Sequence, residues 1–179
     1  EKMTLVHALP IEGKLIYNGD DEILQRECDG LPYHKITYAR YRQADYNIRD
    51  DKTKYYDDEP VGYTFSLAKA EESYGVLVNG AVGMQLGYVY SAAIAVADQL
   101  GVAVQDAVVA LETHLPPSGR MRLVSGIKGT TIIDDTYNSS PVAVESALLT
   151  LREIQYSTRK IAVLGDMLEL GSYSVAEHE

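Results

Sequence analysis

The residues of this chain best suited to chemistry are acids at the ends of apolar runs. Asp134 and Asp135 close the β-branched run "TTII" (130–133), and Asp166 follows "KIAVLG" (160–165). Where strands lie parallel in an open sheet, ligands collect at their carboxyl ends. A carboxylate there can accept from the hydroxyls of a ribose, or hold Mg2+ through water. The same acids also suit a helix start, because a polar "TYNSS" turn and Pro141 follow the pair. Two strand ends lying side by side leave ligand binding and capping evenly weighted. Arg120, in "LPPSGR" (115–120), is either a solvated linker cation or a bidentate grip on a phosphate.

Other chemistries fall away on spacing. His7, His34, His114 and His178 stand singly, without the intervals of a structural zinc site. No G-x-x-x-x-G-K-[ST] loop occurs, so this chain cannot cradle a triphosphate by itself, and "NGAVGMQLG" (79–87) fits no phosphate-loop pattern. A phospho-receiver arrangement fails on order, because the acid pair precedes the Asp166 strand by a single helix and no lysine-bearing strand follows. A dehalogenase-type phosphatase would need Asp-x-Asp-x-Thr, which "DDTYN" does not supply.

The positioning elements follow from periodicity. Residues 2–9 read as a helix end closed by Pro10, "KLIYN" as a strand, and "GDDEILQREC" as a helix with acids in its first turn. "HKITYARY", "ADYNIRD", "GYTFSLAK" and "YGVLVNGAV" alternate as strands. "MQLGYVYSAAIAVADQLG" is a long helix with Gly101 as its C-cap, and 104–114 a second helix. "LPPSGR" is the expected domain linker, dividing the chain into 1–116 and 117–179. Beyond it come strands 121–125 and 130–134, a helix 141–154, a strand 160–164 and a helix start near Ser174. The last three complete elements are expected to form one βαβ unit with a parallel pair.

Composition narrows the class. The chain has 179 residues, 46% hydrophobic and 23% charged, as in ordinary globular proteins. No run reaches the ~20 apolar residues of a bilayer span, and no signal peptide opens it. The single Cys28 excludes an internal disulfide and suits a reducing compartment, so the cytoplasm is expected. A net charge of −10 argues against a nucleic-acid surface, though not against a nucleotide gripped locally. The tyrosines between Tyr33 and Tyr56 read as solvated sheet surface. The chain opens at Glu1 inside a helical pattern and stops at Glu179 just after a helix begins, which reads as a piece of a longer protein.

"IIDDTYNSSPVAVESALLTL" with "RKIAVLGDMLELGSYSVAEHE" resembles the C-terminal domain of the Mur ligases, and "EKMTLVHALPIEGKLIYNGDDE" resembles their central domain. "VLGDMLELG" (163–171) is the more specific part. The resemblance implies an α/β fold: the C-terminal half of a P-loop-type central ATPase domain, then the start of a Rossmann-like C-terminal domain. It implies ATP and Mg2+ as cofactors, with UDP-MurNAc-tripeptide and D-Ala-D-Ala as partners, in a monomer without a membrane span. It places Lys2 at the lysine carbamylated to help hold a second Mg2+, and Arg120 at the hinge arginine on the ATP phosphates. Asp135 falls at the ribose-binding aspartate, Asn138 in the same turn, and Asp134 as local support. Asp166 and Glu169 match a C-terminal-domain motif with a structural role or direct contact open. One departure stands out: Gly83, Gln85 and Val89 occupy the family's Gly-x-His-x-x-x-Asn, whose Asn lies by adenine. Addition of a diamino acid or of glutamate, or a degenerate binding module, are the alternatives. Without a P-loop, these residues alone are expected not to turn over.

Overall fold

Short-range chemistry starts most of the elements. Asp21 caps a helix by accepting from the N–H groups of Ile23 and Leu24, each at 2.9 Å. Ser140 caps another by accepting from the N–H of Ala143, with Pro141 in the first helical turn. The computed structural model describes residues 2–155 and 159–178. In order, the elements are α1 (Lys2–His7), β1 (Lys14–Asn18), α2 (Glu22–Cys28), β2 (His34–Ala39), β3 (Tyr46–Tyr56), β4 (Glu59–Lys69), β5 (Glu72–Asn79), α3 (Gln85–Gln99), α4 (Val104–Glu112), β6 (Arg122–Ser125), β7 (Thr131–Asp134), α5 (Pro141–Glu153) and α6 (Ser174–His178). One sheet has the order β1-β2-β3-β4-β5, with β1, β2 and β3 paired in parallel. The other is the antiparallel pair β6-β7, with Arg122 opposite Asp134.

The chain divides into two compact units. The first takes Glu1–Asp51, Phe65–Val76 and Gly87–Leu111. Its buried residues include Ile36, Tyr46, Ile48, Leu67, Val76, Ile94 and Val108. Tyr46 departs from the expected solvated surface: it is 1% exposed, and its hydroxyl donates to Asp98, which also accepts from Lys69 at 2.7 Å. A buried phenol needs such an acceptor. Gly101 closes α3 as expected, at φ +88, in a left-handed cap where its N–H meets the Asp98 carbonyl and that of Val102 meets Ala97.

The second unit takes Lys52–Thr64, Leu77–Leu86 and Glu112–Glu179. Val82, Met121 and Ile154 form its buried cluster, with Leu123, Ile133 and Ala147 packed against them. Residues 80–82 extend the β6-β7 pair: the Leu123 N–H donates to Gly80 and the Val82 N–H to Met121. The expected strand at 160–164 is not formed. Those residues are exposed, Val163 at 93%, and pair with no strand among the described residues. A parallel strand needs a hydrogen-bonded neighbour and cover on both faces, so the apolar run alone does not make one. The expected βαβ unit is therefore absent there, and β7 runs antiparallel to β6 instead.

The β3-β4 connection gives a first prediction. Asp57 and Asp58 both have positive φ, +47° and +66°, as a two-residue primed turn requires. Asp58→Gly removes a left-handed side-chain penalty and one of two adjacent like charges. It should stabilise the chain by about 0.5–1 kcal/mol, read as a higher urea midpoint at unchanged slope; a lower midpoint would contradict it.

Candidate functional site

Both acids that end β7 reach back to the segment before β6. Asp134 Oδ2 accepts from the Gly119 N–H at 2.9 Å and the Ser118 hydroxyl at 3.1 Å. Its Oδ1 accepts from the Thr136 hydroxyl at 2.7 Å and the Thr136 N–H at 3.3 Å. The Thr136 hydroxyl first, then the Gly119 N–H, hold this carboxyl below its ordinary value. Asp135 behaves oppositely. Its Oδ1 accepts from the Met121 N–H at 3.1 Å, and its second oxygen has no hydrogen bond among the described residues. Burial pushes the Asp135 carboxyl up, against the lowering effect of the Met121 N–H and the Arg120 charge, with Asp134 adding to the rise.

Arg120 sits on the turn that these acids hold. Its side chain is exposed, with the guanidinium carbon 4.1 Å from the centre of the Tyr137 ring. Gly119 has φ +75 and donates no room to a side chain: an added Cβ would lie 2.8 Å from the Tyr137 nitrogen. The Tyr137 N–H in turn donates to the Gly119 carbonyl at 3.2 Å. On the other side, Met121 is 2% exposed yet has φ +54, a conformation costly for a side-chain-bearing residue. Arg120 is thus flanked by two left-handed residues, each tied through its N–H to one acid of the pair.

The remaining expected residues fall as follows. Asn138 is exposed in the same turn, and its side-chain oxygen accepts from the Ser139 N–H at 2.9 Å. Arg120, Asp134, Asp135 and Asn138 all belong to the second compact unit. Lys2 opens α1, and its side chain lies outside the described residues. Asp166 and Glu169 are exposed, and with no strand at 160–164 there is no strand end to set Asp166 beside the pair. Gln85 accepts from the Ser146 hydroxyl at 3.2 Å, and Val89 is 61% exposed on α3. Among the described residues no group of three or more His, Cys, Asp or Glu is placed to hold a metal ion, so these side chains form no metal site of their own. A ribose, donating from its hydroxyls, does fit the Asp135 oxygen that has no hydrogen bond among the described residues, and a phosphate fits Arg120. Tyr137 and Met121 escaped the sequence reading. Tyr137 had a signal, as an aromatic two residues after an acid; a left-handed methionine has none.

The family that matches is the Mur ligase, glutamate ligase domain, over residues 119–179. Among curated relatives, the UDP-N-acetylmuramoyl-tripeptide–D-alanyl-D-alanine ligase of Bacillus subtilis is 28% identical over 180 residues, covering 99% of this chain and 36% of that protein. The ligase of the same name from Mycobacterium bovis is 32% identical over 193 residues, covering 99% and 35%. The chain thus spans about a third of the length of the curated relatives it matches. MurF from Acinetobacter baumannii superposes with a TM-score of 0.79 at 26% identity, over 93% of this chain and 35% of that one. A MurF ligase from Thermotoga maritima, solved in complex with ADP, shares the fold at a TM-score of 0.84 and 24% identity, over 99% and 39%.

Proposed function

We propose, from the premise that this chain belongs to the Mur ligase family, that it is part of an ATP-dependent ligase joining D-Ala-D-Ala to UDP-MurNAc-tripeptide in peptidoglycan precursor synthesis. The observation that carries this reading is the alignment of 99% of the chain with ligases bearing that activity in their names. Residues 1–116 are assigned to the central ATP-binding domain and 117–179 to the C-terminal domain. The enzyme is assigned to the cytoplasm and to a monomer. No helix among the described residues is long and apolar enough to cross a membrane.

In this reaction ATP would supply the phosphoryl group that turns the peptide's terminal carboxylate into an acyl phosphate, leaving ADP, and the amine of D-Ala-D-Ala would displace inorganic phosphate from it to form the amide. The residues of this chain contribute binding and orientation. Arg120, exposed and stacked on Tyr137, neutralises charge on the transferring phosphate. Asp135 accepts from the ribose with the oxygen that Met121 leaves uncommitted. Asn138 shapes the same turn. Lys2, as a carbamate, is the residue assigned to Mg2+. Holding these groups in register is the larger contribution, because misplacement by about 1 Å can cost roughly 100-fold in rate.

Phosphate release from ATP by the ligase that carries this chain tests the assignment. Release is expected only when UDP-MurNAc-tripeptide and D-Ala-D-Ala are both present. Release with a free amino acid in place of D-Ala-D-Ala would move the protein to another branch of the family. Failure to bind ATP would make it a binding module. The 179 residues alone are expected not to turn over.

A further inference from the structure

We infer that Asp134 is the positioning residue of Arg120, clamping the turn that presents the guanidinium while contacting no ligand itself. The inference rests on the phosphate role assigned to Arg120. A carboxylate offers about four acceptor directions. Asp134 uses four on its own chain: Ser118 and Gly119 on one oxygen, and both donors of Thr136 on the other. Asp135 uses one. The first acid is therefore spent on geometry, and the second keeps a free oxygen.

The geometry it fixes is that of Arg120. Gly119 can rotate freely between left- and right-handed backbone, so its φ of +75 sets the direction of the next side chain only while something holds it. The Asp134 carboxylate holds its N–H, and the Tyr137 N–H holds its carbonyl. Because Asp134 also binds Thr136, it fixes the two strands of contact to each other immediately before the ring on which Arg120 stacks. Loss of the carboxylate frees Gly119 and lets the guanidinium leave Tyr137.

Two measurements test this. In the full chain, trypsin should cut after Arg120 about 10-fold faster in Asp134→Ala, with Asp134→Asn intermediate, while cutting after Lys128 in the β6-β7 connection stays unchanged. Equal acceleration at both sites would reduce Asp134 to general stability and overturn the inference, as would no acceleration at Arg120. In the ligase, Asp134→Ala should lower kcat/KM for ATP about 10-fold, and should add less than about 2-fold once Arg120 is already alanine. Independent, multiplying losses would overturn it too. An Arg120→Ala enzyme of normal activity would instead sink the phosphate role, and the proteolysis pattern would then show whether the clamp exists without it.

Discussion

Replacing Arg120 with alanine should lower kcat/KM for ATP by about 100- to 1000-fold in the proposed ligase, with little change in folding stability. The two halves of that expectation have separate causes. Arg120 is exposed, so truncation opens no buried cavity, and its ring contact with Tyr137, itself 70% exposed, is at the surface. A cation placed on a transferring phosphate neutralises the charge that develops there, which is where an electrostatic contact lowers the barrier. Arg120→Lys should recover only part of the loss, because a point charge replaces a planar fork and gives up the stacking geometry. Steady-state kinetics with ATP varied at saturating acceptor, beside thermal melts of each variant, makes the check. A loss below about 3-fold would place the arginine outside the nucleotide contacts, and a matching drop in melting temperature would make its role structural.

Asp20→Ala should be the most destabilising single truncation outside the hydrophobic core, at about 3 kcal/mol. One carboxylate there gathers the loop after β2. It accepts from the N–H groups of Arg40 at 2.7 Å, Tyr41 at 3.1 Å and Arg42 at 2.9 Å, and from the Tyr88 hydroxyl at 2.9 Å. Three successive N–H groups converge on one anion, and the Arg40 N–H and Tyr88 hydroxyl among its donors are part-buried. Burial alone would raise the Asp20 carboxyl; the Arg40 and Tyr41 N–H groups, the Tyr88 hydroxyl and the Arg42 N–H outweigh it and leave it lowered. The sign of the pH effect follows. A folded-state value below that of the unfolded chain, about 3.9, gives stability that is complete above that pH and is lost as pH falls through the folded value. Urea unfolding at neutral pH and again in acid should therefore show the gap between wild type and Asp20→Ala closing in acid. A neutral-pH difference under about 1 kcal/mol, or one that does not shrink in acid, would contradict this account.

The two acid pairs show where local reading works and where it stops. In "NGDD", the acids read as first-turn helix residues, and Asp21 does cap α2. Asp20, its neighbour, turns instead to residues 40–42, and nothing in spacing distinguishes the two. In "DDTYN", the doubled charge was legible, but not the objects of its two carboxylates within the chain. Apart from Thr136, their partners lie 14 to 16 residues upstream: Ser118 and Gly119 in the segment read as a linker, and Met121 at the start of the strand that follows it. Strands β1 to β5, with α3 to α5, were legible because hydrophobic alternation, Gly101 and Ser140-Pro141 act within a few residues. The run 160–164 misled for the converse reason: its composition suits a buried parallel strand, and a strand depends on neighbours that its own residues do not encode.

Met121 carries one more consequence. Its left-handed backbone is unfavourable by itself and persists because the Asp135 carboxylate takes its N–H while the Val82 N–H takes its carbonyl. With the ribose role proposed for Asp135, the two oxygens of one group join a nucleotide contact and a strained peptide. Thermodynamic linkage makes such a junction reciprocal. On that proposal, whatever strengthens the pull on one oxygen alters the hold of the other, so occupancy of the proposed ribose site and the twist of the chain beside Arg120 are expected to be coupled, and a change made in the hydrophobic cluster around Met121 should read out as nucleotide affinity.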